Sequence, residues 1–401
     1  MKEKRAQRNR VQVMVLPEYG KQRLLTYADS FKDLADIFEK ISEDSGKPEP
    51  VQAGGDRSAY LYQRKANESR EIMADHLQEM AQMMTEVAKS SFAYTPVSER
   101  KFRQICHALK AEGILLKEIH YIESAAGRLE IGASLASERG RKQTGEEVAA
   151  LLSVLFDKRL MVSGETDYYL DEQYRDFRFL EEPGFLVLTG TAKAVKENET
   201  VSGDNFCQFE TDKSSLTILL SDGMGSGEKA CADSLRVLDL MERMLTAGFS
   251  GETAVQMVNT SLNMGGGENH LSTLDVCRLD LYEGTVELTK VGAASTYIKR
   301  DNLVEQISSR SLPLGVFGRL ESEVTKRKLM DGDYIIMVSD GIPDGLSQGI
   351  GEEALSEIIS RTTLENPKEM AGAILNYVIR ACKGAVRDDM TVIVAGIWEN
   401  H

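Results

Sequence analysis

Helical and strand-like patterning alternate along this chain, and they are unevenly distributed. Residues 29–41 set Phe31, Leu34, Ile37, Phe38 and Ile41 at helical spacing, with Asp29 or Ser30 as the cap. SEDSGKPEP from residue 42 breaks the pattern, and the break runs on to Gly55. A long helix is predicted from Ser58 to Ser91. Its stripe passes through Ile72, His76, Met80, Met83 and Val87, with Met73, Leu77 and Met84 beside it. That stripe reads either as core packing or as a face for a partner or a second copy of the chain. Residues 98–112 predict another helix. KEIHYIES and GRLEIGASLA then alternate at period two about Ala126 and Gly127. Thr144 with Glu147 forms a capping-box pattern that opens a helix to about Arg159.

From about Phe177 the texture changes. FRFLEE and FLVLTGTAKAV read as strands around Pro183-Gly184, and SLTILL is an apolar strand that ends at Ser221-Asp222-Gly223. Helices are predicted over 228–247 and 250–263. VCRLDLYEGTVELTKVG and STYIKRDNLVEQIS each fold as two alternating runs about a turn, at Glu283-Gly284 and Asp301-Asn302. DYIIMV ends at Ser339-Asp340-Gly341, helices follow over 352–361 and 367–383, and MTVIVAGIW closes the chain after Arg387-Asp388-Asp389. Hairpins with helices in separate blocks predict an α+β fold with antiparallel sheet.

The 401 residues exceed what one core usually serves. The pattern divides them into an N-terminal segment over 1–55, a helix-rich α/β domain over 56–175 and a second domain over 176–401. A formal net charge of −15 argues against nucleic acid as a partner. Five scattered cysteines (Cys106, Cys207, Cys231, Cys277 and Cys382) show no CxxC pair, which indicates reduced thiols in a cytoplasmic protein. No apolar run is long enough to span a bilayer. Lys2, Lys4, Arg5, Arg8 and Arg10 read as a solvated terminus, or as a juxtamembrane stretch of a longer, membrane-anchored parent.

Three aspartate-bearing turns flank apolar strands: SDGMGSG at 221–227, SDGIPDG at 339–345 and RDDMT at 387–391. A short carboxylate stem on a strand end can be placed accurately, and the glycine after it permits a sharp turn. Carboxylates brought together repel unless a cation neutralises them, and an all-oxygen set suits Mg²⁺ or Mn²⁺ and not zinc. The bland reading of a single Asp-Gly is a turn. The three turns together carry the metal reading.

In order, VSGDNF, SDGMGSG, STLD, KVGAAS, LPLGV, SDGI and DDMT resemble the metal-dependent PP2C-type phosphatases, and more narrowly the stage II sporulation protein E family, over about residues 200–396. The preceding region is similar to that family's cytoplasmic regulatory segment. The resemblance implies a sandwich of two antiparallel β-sheets flanked by helices, following a helix-rich α/β regulatory domain. It implies two Mn²⁺ or Mg²⁺ ions per site. Asp222 would bridge them, the Gly223 carbonyl would bind one, and Asp340 and Asp388 would complete the other. Asp204 would act through water or from behind the ligands, and Asp389 ranks below Asp388. The implied activity is protein serine/threonine phosphatase, by direct attack of metal-activated water with no phosphoenzyme. The implied substrate is a phosphorylated anti-anti-sigma factor, whose dephosphorylation activates a sporulation sigma factor. A tubulin-like division protein is an implied partner. The long helix itself, apart from the resemblance, suggests a homodimer.

The sequence departs from the broader family in three ways. Met224 stands where a histidine acid is common, Gly203 stands where a carboxylate is common, and no phosphate-binding arginine is identifiable. A nucleotide-binding loop at Gly223–Gly227 is disfavoured, because Asp222 would oppose a pyrophosphate and the hairpins build no parallel sheet. The remaining alternative is a catalytically silent scaffold of the phosphatase fold.

Overall fold

The computed structural model describes residues 24–37, 40, 57–90, 95–123, 128–163, 169–212, 215–264, 271–316, 320, 322–346 and 351–400. The basic N-terminal residues, Phe38, Ile41, the 42–50 break, the Ala126-Gly127 turn, His270 and His401 lie outside them.

Helix α1 covers residues 24–37, so Asp29 and Ser30 are inside it and do not cap it. The Ser30 hydroxyl instead donates to the Thr26 carbonyl at 2.9 Å, one turn back. Helix α2 runs from Arg57 to Ser90. Its most buried positions include Ala74, Ala81 and Ala88, seven residues apart, together with Ile72 and His76. Met73 and Val87 are exposed. Among the described residues of α2 the buried side chains are thus three alanines, Ile72 and His76, and no methionine.

The chain divides into two compact units with a boundary between Glu182 and Pro183, and α1 and α2 are split between them after Ser30 and after Met80. The first unit contains β1 (Thr95–Pro96), α3 (Glu99–Ala111), β2 (Ile114–Glu123), β3 (Leu129–Ser137), β4 (Gln143–Thr144), α4 (Gly145–Phe156), β5 (Leu160–Val162), β6 (Tyr169–Leu170) and β7 (Arg175–Glu181). Its main sheet has the order β1-β2-β3-β7-β5, with every pairing antiparallel. Ile105 and Leu109 of α3 and Val148 and Leu152 of α4 pack on it against Ile131, Leu135, Phe177 and Phe179. The capping box at Thr144 and Glu147 is present, with both reciprocal hydrogen bonds. The strand FRFLE, read in the sequence as the start of the second domain, pairs with β3 and belongs to this first sheet. Its buried Phe177 and Phe179 account for that choice.

The second unit is a sandwich. It comprises β8 (Phe185–Ala194), β9 (Asp204–Asp212), β10 (Ser215–Asp222), α5 (Gly227–Thr246), α6 (Gly251–Met264), β11 (Leu274–Asp280), β12 (Thr285–Val291), β13 (Thr296–Arg300), β14 (Leu303–Ile307), β15 (Glu323–Lys328), β16 (Asp333–Val338), α7 (Gly341–Leu346), α8 (Gly351–Arg361), α9 (Pro367–Ala381) and β17 (Met390–Glu399). One sheet has the order β15-β12-β11-β10-β9 and the other β14-β13-β16-β17-β8, all antiparallel.

Alternation along the strands sorts side chains into three layers. Ile218, Leu220, Cys277, Leu288, Ile298, Met337 and Ile393 face inward between the sheets. Leu219, Leu274 and Val276 face outward under Val237, Met241 and Val258 of α5 and α6. On the other side, Ile336, Val338 and Val392 meet Leu355, Ile374 and Val378 of α8 and α9. This is the predicted pair of antiparallel sheets flanked by helices.

Candidate metal centre

At one end of the sandwich the inward-facing layer changes from apolar to polar. Phe206 on β9 gives way to Asp204, Leu220 on β10 to Asp222, and Ile393 on β17 to Thr391. Asp204 and Asp222 are directly opposed in the antiparallel register. β9, which the hydrophobic pattern did not reveal, therefore brings the VSGDNF aspartate onto a strand beside the SDG aspartate.

Asp204 is buried, with 1% exposure. Its Oδ2 accepts from Thr391 Oγ1 at 2.7 Å, across the sandwich. Its Oδ1 has no hydrogen-bond partner among the described residues. Burial raises the Asp204 carboxyl, and the hydroxyls of Ser339 and Thr391 oppose that. Asp222 is pushed up to about 8, first by burial and then by Asp204, Asp340, Asp388 and Asp389. Asp340 is pushed to about 6 by burial and by Asp388, Asp204 and Asp344. Its residue is open to solvent, which screens part of that shift. Asp388 Oδ1 accepts from the Asp389 amide at 3.0 Å and has Lys196 Nζ at 3.8 Å. Asp389 has both oxygens committed to backbone amides, with Oδ1 on Lys196 at 3.0 Å and Oδ2 on Gly203 at 2.7 Å. It is buried and ties the VSGDNF loop to the final strand.

Neither SDG glycine has positive φ. Each is required by close approach instead of by a left-handed turn: a Cβ on Gly223 would collide with the Ala230 carbonyl of α5, and one on Gly341 with the Asp389 carbonyl. SDGIP is also more than a turn, because α7 starts at Gly341 directly after Asp340.

The backbone of Asp222 is clamped by STLD. The amide of Asp222 donates to Thr273 Oγ1 at 3.0 Å, and its carbonyl accepts from the Thr273 amide at 2.8 Å and from Ser272 Oγ at 2.7 Å. Ser234 of α5, fully buried, donates to the Gly203 carbonyl at 2.6 Å. Sequence patterning assigns no role to Ser272, Thr273, Ser234 or Thr391. Three of them lie in or beside the quoted motifs, whereas Ser234 carries no local signal.

Five predicted aspartates thus gather at one end of the sandwich. Among the described residues, no three acidic, histidine or cysteine side chains are already drawn to ligating distance of one another. The donor set nevertheless fits a hard divalent cation. All its groups are oxygens, Asp204 Oδ1 is buried without a partner among the described residues, and neighbouring carboxylates add to burial in raising Asp222 and Asp340. Met224 is exposed and offers no titratable proton.

Comparison with known proteins agrees with the fold. Residues 212–398 match the family described as stage II sporulation protein E (SpoIIE), and residues 51–180 match the SpoIIE regulatory domain. The chain is 29% identical to stage II sporulation protein E of Priestia megaterium, over 83% of this chain and 57% of that protein. It is 27% identical to the Bacillus subtilis (strain 168) protein of the same name, over 84% of this chain and 41% of that one. The chain therefore spans about half the length of these relatives. It is also 21% identical to the phosphoserine phosphatase RsbU of Bacillus subtilis (strain 168), over 48% of this chain and 59% of that protein. The solved structure of the PP2C phosphatase domain and a fragment of the regulatory domain of SpoIIE from Bacillus subtilis superposes with a TM-score of 0.63 at 27% identity. That alignment covers 86% of this chain and 96% of that one.

Proposed function

We infer the function from kinship: the chain is a homologue of stage II sporulation protein E with the fold of a PP2C-type serine phosphatase. Phosphatases of this family depend on divalent metal. We propose that this chain hydrolyses phosphoserine on a regulatory protein, a phosphorylated anti-anti-sigma factor, and thereby activates a sporulation sigma factor. The observation that carries the reading is the convergence of Asp204, Asp222 and Asp340 on strand ends, with Asp222 raised to about 8 by burial and by its neighbours.

Two Mn²⁺ or Mg²⁺ ions, when bound, supply an activated water and stabilise charge on the phosphoryl oxygens. Asp222 and the Gly223 carbonyl would hold them together with Asp340 and Asp388. Asp204 would complete the set from behind, directly or through water. Asp389 accepts a backbone amide at each oxygen, which positions the Gly203 loop and supports ranking it below Asp388 as a ligand. Ser272 and Thr273 hold the backbone of Asp222 in register, so the stem of its carboxylate is placed before any ion arrives.

The same kinship supports a regulatory role for the region before the phosphatase domain, read as 56–175, whereas the homodimer through α2 is suggested only by that helix's length and methionines. It supports association with a tubulin-like division protein and a cytoplasmic setting on a membrane-anchored parent. Among the described residues no helix is long and apolar enough to cross a membrane.

Phosphate release from a phosphoserine protein, measured with Mn²⁺, with EDTA and with Asp222→Asn, tests the activity. Release that requires the metal and disappears in the variant supports the reading. A folded protein that releases no phosphate with any divalent ion favours the silent scaffold.

A further inference from the structure

Beside the aspartates lies a second buried charge arrangement that no ligand role accounts for. Asp275 on β11 and Lys290 on β12 are paired in register, and each is 1% exposed. Lys290 Nζ donates to Asp275 Oδ2 and, at 2.8 Å, to Thr296 Oγ1. Thr296, on the opposite sheet, donates to the same Oδ2 at 2.6 Å. All three side chains project between the sheets, one step beyond the apolar Cys277, Leu288 and Ile298. The Asp275 carboxylate therefore crowds its contacts onto one oxygen. The other, Oδ1, is fully buried and has no partner among the described residues.

Asp275 also lines a small cavity with Asp222, Thr273, Ser339 and Asp340. Its volume is about 20 Å³. A single water needs roughly 10–15 Å³ and two to four polar partners. The space thus suits one water and little else, and Asp222, Asp275 and Asp340 all border it.

We propose that Asp275 is a positioning residue for the metal centre. Through one buried water it is linked to Asp222 and Asp340, and Lys290 and Thr296 hold its carboxylate correctly turned. This rests on the metal reading of Asp222 and Asp340 given above. Partners one step removed from the ligands orient them, and their loss commonly weakens metal binding roughly 10–100-fold. An isolated buried ion pair that served only the fold would behave otherwise, since replacing it with apolar groups of similar shape is often neutral or stabilising.

That contrast defines the test, made on the full chain. Mn²⁺ binding is measured by calorimetry, and thermal stability in EDTA, for wild type, Asp275→Asn, and the triple variant Asp275→Leu, Lys290→Met, Thr296→Val. The expected result is a triple variant that melts at or above wild type yet binds Mn²⁺ at least tenfold more weakly, with Asp275→Asn weakened similarly. Affinity within twofold of wild type in both variants overturns the proposal and leaves the metal reading intact. A wild-type chain that binds no Mn²⁺ overturns the metal reading and this one with it. Should the variants fail to fold, a high-resolution crystal structure of the wild type decides. A water within hydrogen-bond reach of Asp275 Oδ1 supports the link, and its lack in a well-ordered site refutes it.

Discussion

Replacing Asp222 by asparagine should make the metal-free protein more stable while abolishing its response to metal. In the folded state the Asp222 carboxyl keeps its proton up to about 8, because burial and then four neighbouring carboxylates disfavour the charge; its ordinary value is 3.8. A group raised in this way contributes full stability below the unfolded value and loses it as pH rises through the folded one. The loss in the metal-free protein therefore accumulates between about pH 4 and pH 8. At pH 7 it spans roughly three pH units at about 1.4 kcal/mol each, about 4 kcal/mol before relaxation and water penetration reduce it. Asparagine carries no charge at any pH, so it should recover about 2–4 kcal/mol, or roughly 5–15 °C in melting temperature for a unit of this size. Differential scanning calorimetry in EDTA at pH 5, 6, 7 and 8 should show a gap that widens with pH. With Mn²⁺ in excess the order should reverse, because only the wild type gains from binding. An asparagine variant less stable than wild type in EDTA, with a gap independent of pH, would refute the argument that these carboxylates are mutually destabilising.

Three further outcomes are expected. Gly341→Ala, whose Cβ would meet the Asp389 carbonyl, should lower stability by about 1–3 kcal/mol and displace Asp340; urea denaturation and a Mn²⁺ titration check both effects. Asp389→Asn leaves one of two buried backbone amides without an acceptor and should destabilise by about 1–3 kcal/mol. It should weaken Mn²⁺ binding less than Asp388→Asn does, which calorimetry on the pair resolves. Deleting residues 1–95, and with them α1 and α2, should change specific activity or Mn²⁺ affinity severalfold, and unchanged kinetics together with an unchanged oligomeric state would count against a regulatory role.

Much of the site is legible in the amino-acid sequence because its residues sit where local chemistry leaves a mark. An apolar run ending in Ser-Asp-Gly marks a strand end, and it occurs twice, at Asp222 and Asp340. Hairpin alternation predicts β11 to β14 with the correct antiparallel sense. β9 escapes that reading because DNFCQFETD mixes polar and apolar residues without clean alternation. Both of its faces are packed, Phe206 against the inter-sheet core and Cys207 and Phe209 under α5 and α6, so its apolar residues fall on both faces and leave no simple alternation. The cap at Asp29 or Ser30 fails for a similar reason, since a serine hydroxyl can be satisfied inside a helix as well as at its start.

What the sequence determined by itself was periodicity and chemical type: most of the longer strands and helices, that the sheets are antiparallel, and that oxygen donors at strand ends suit a hard cation. These depend on residues close together in the chain. Only the tertiary structure decided what those oxygens touch. Asp388 and Asp389 are adjacent and chemically identical, yet Asp389 spends both oxygens on the amides of Lys196 and Gly203, nearly two hundred residues away in the chain. Likewise Lys290 and Asp275 look like ordinary surface charges in the sequence, and only the register of β11 on β12 and the facing sheet bury them against Thr296. A charge's role depends on what desolvates and neutralises it, and those neighbours are chosen by packing between strands distant in sequence.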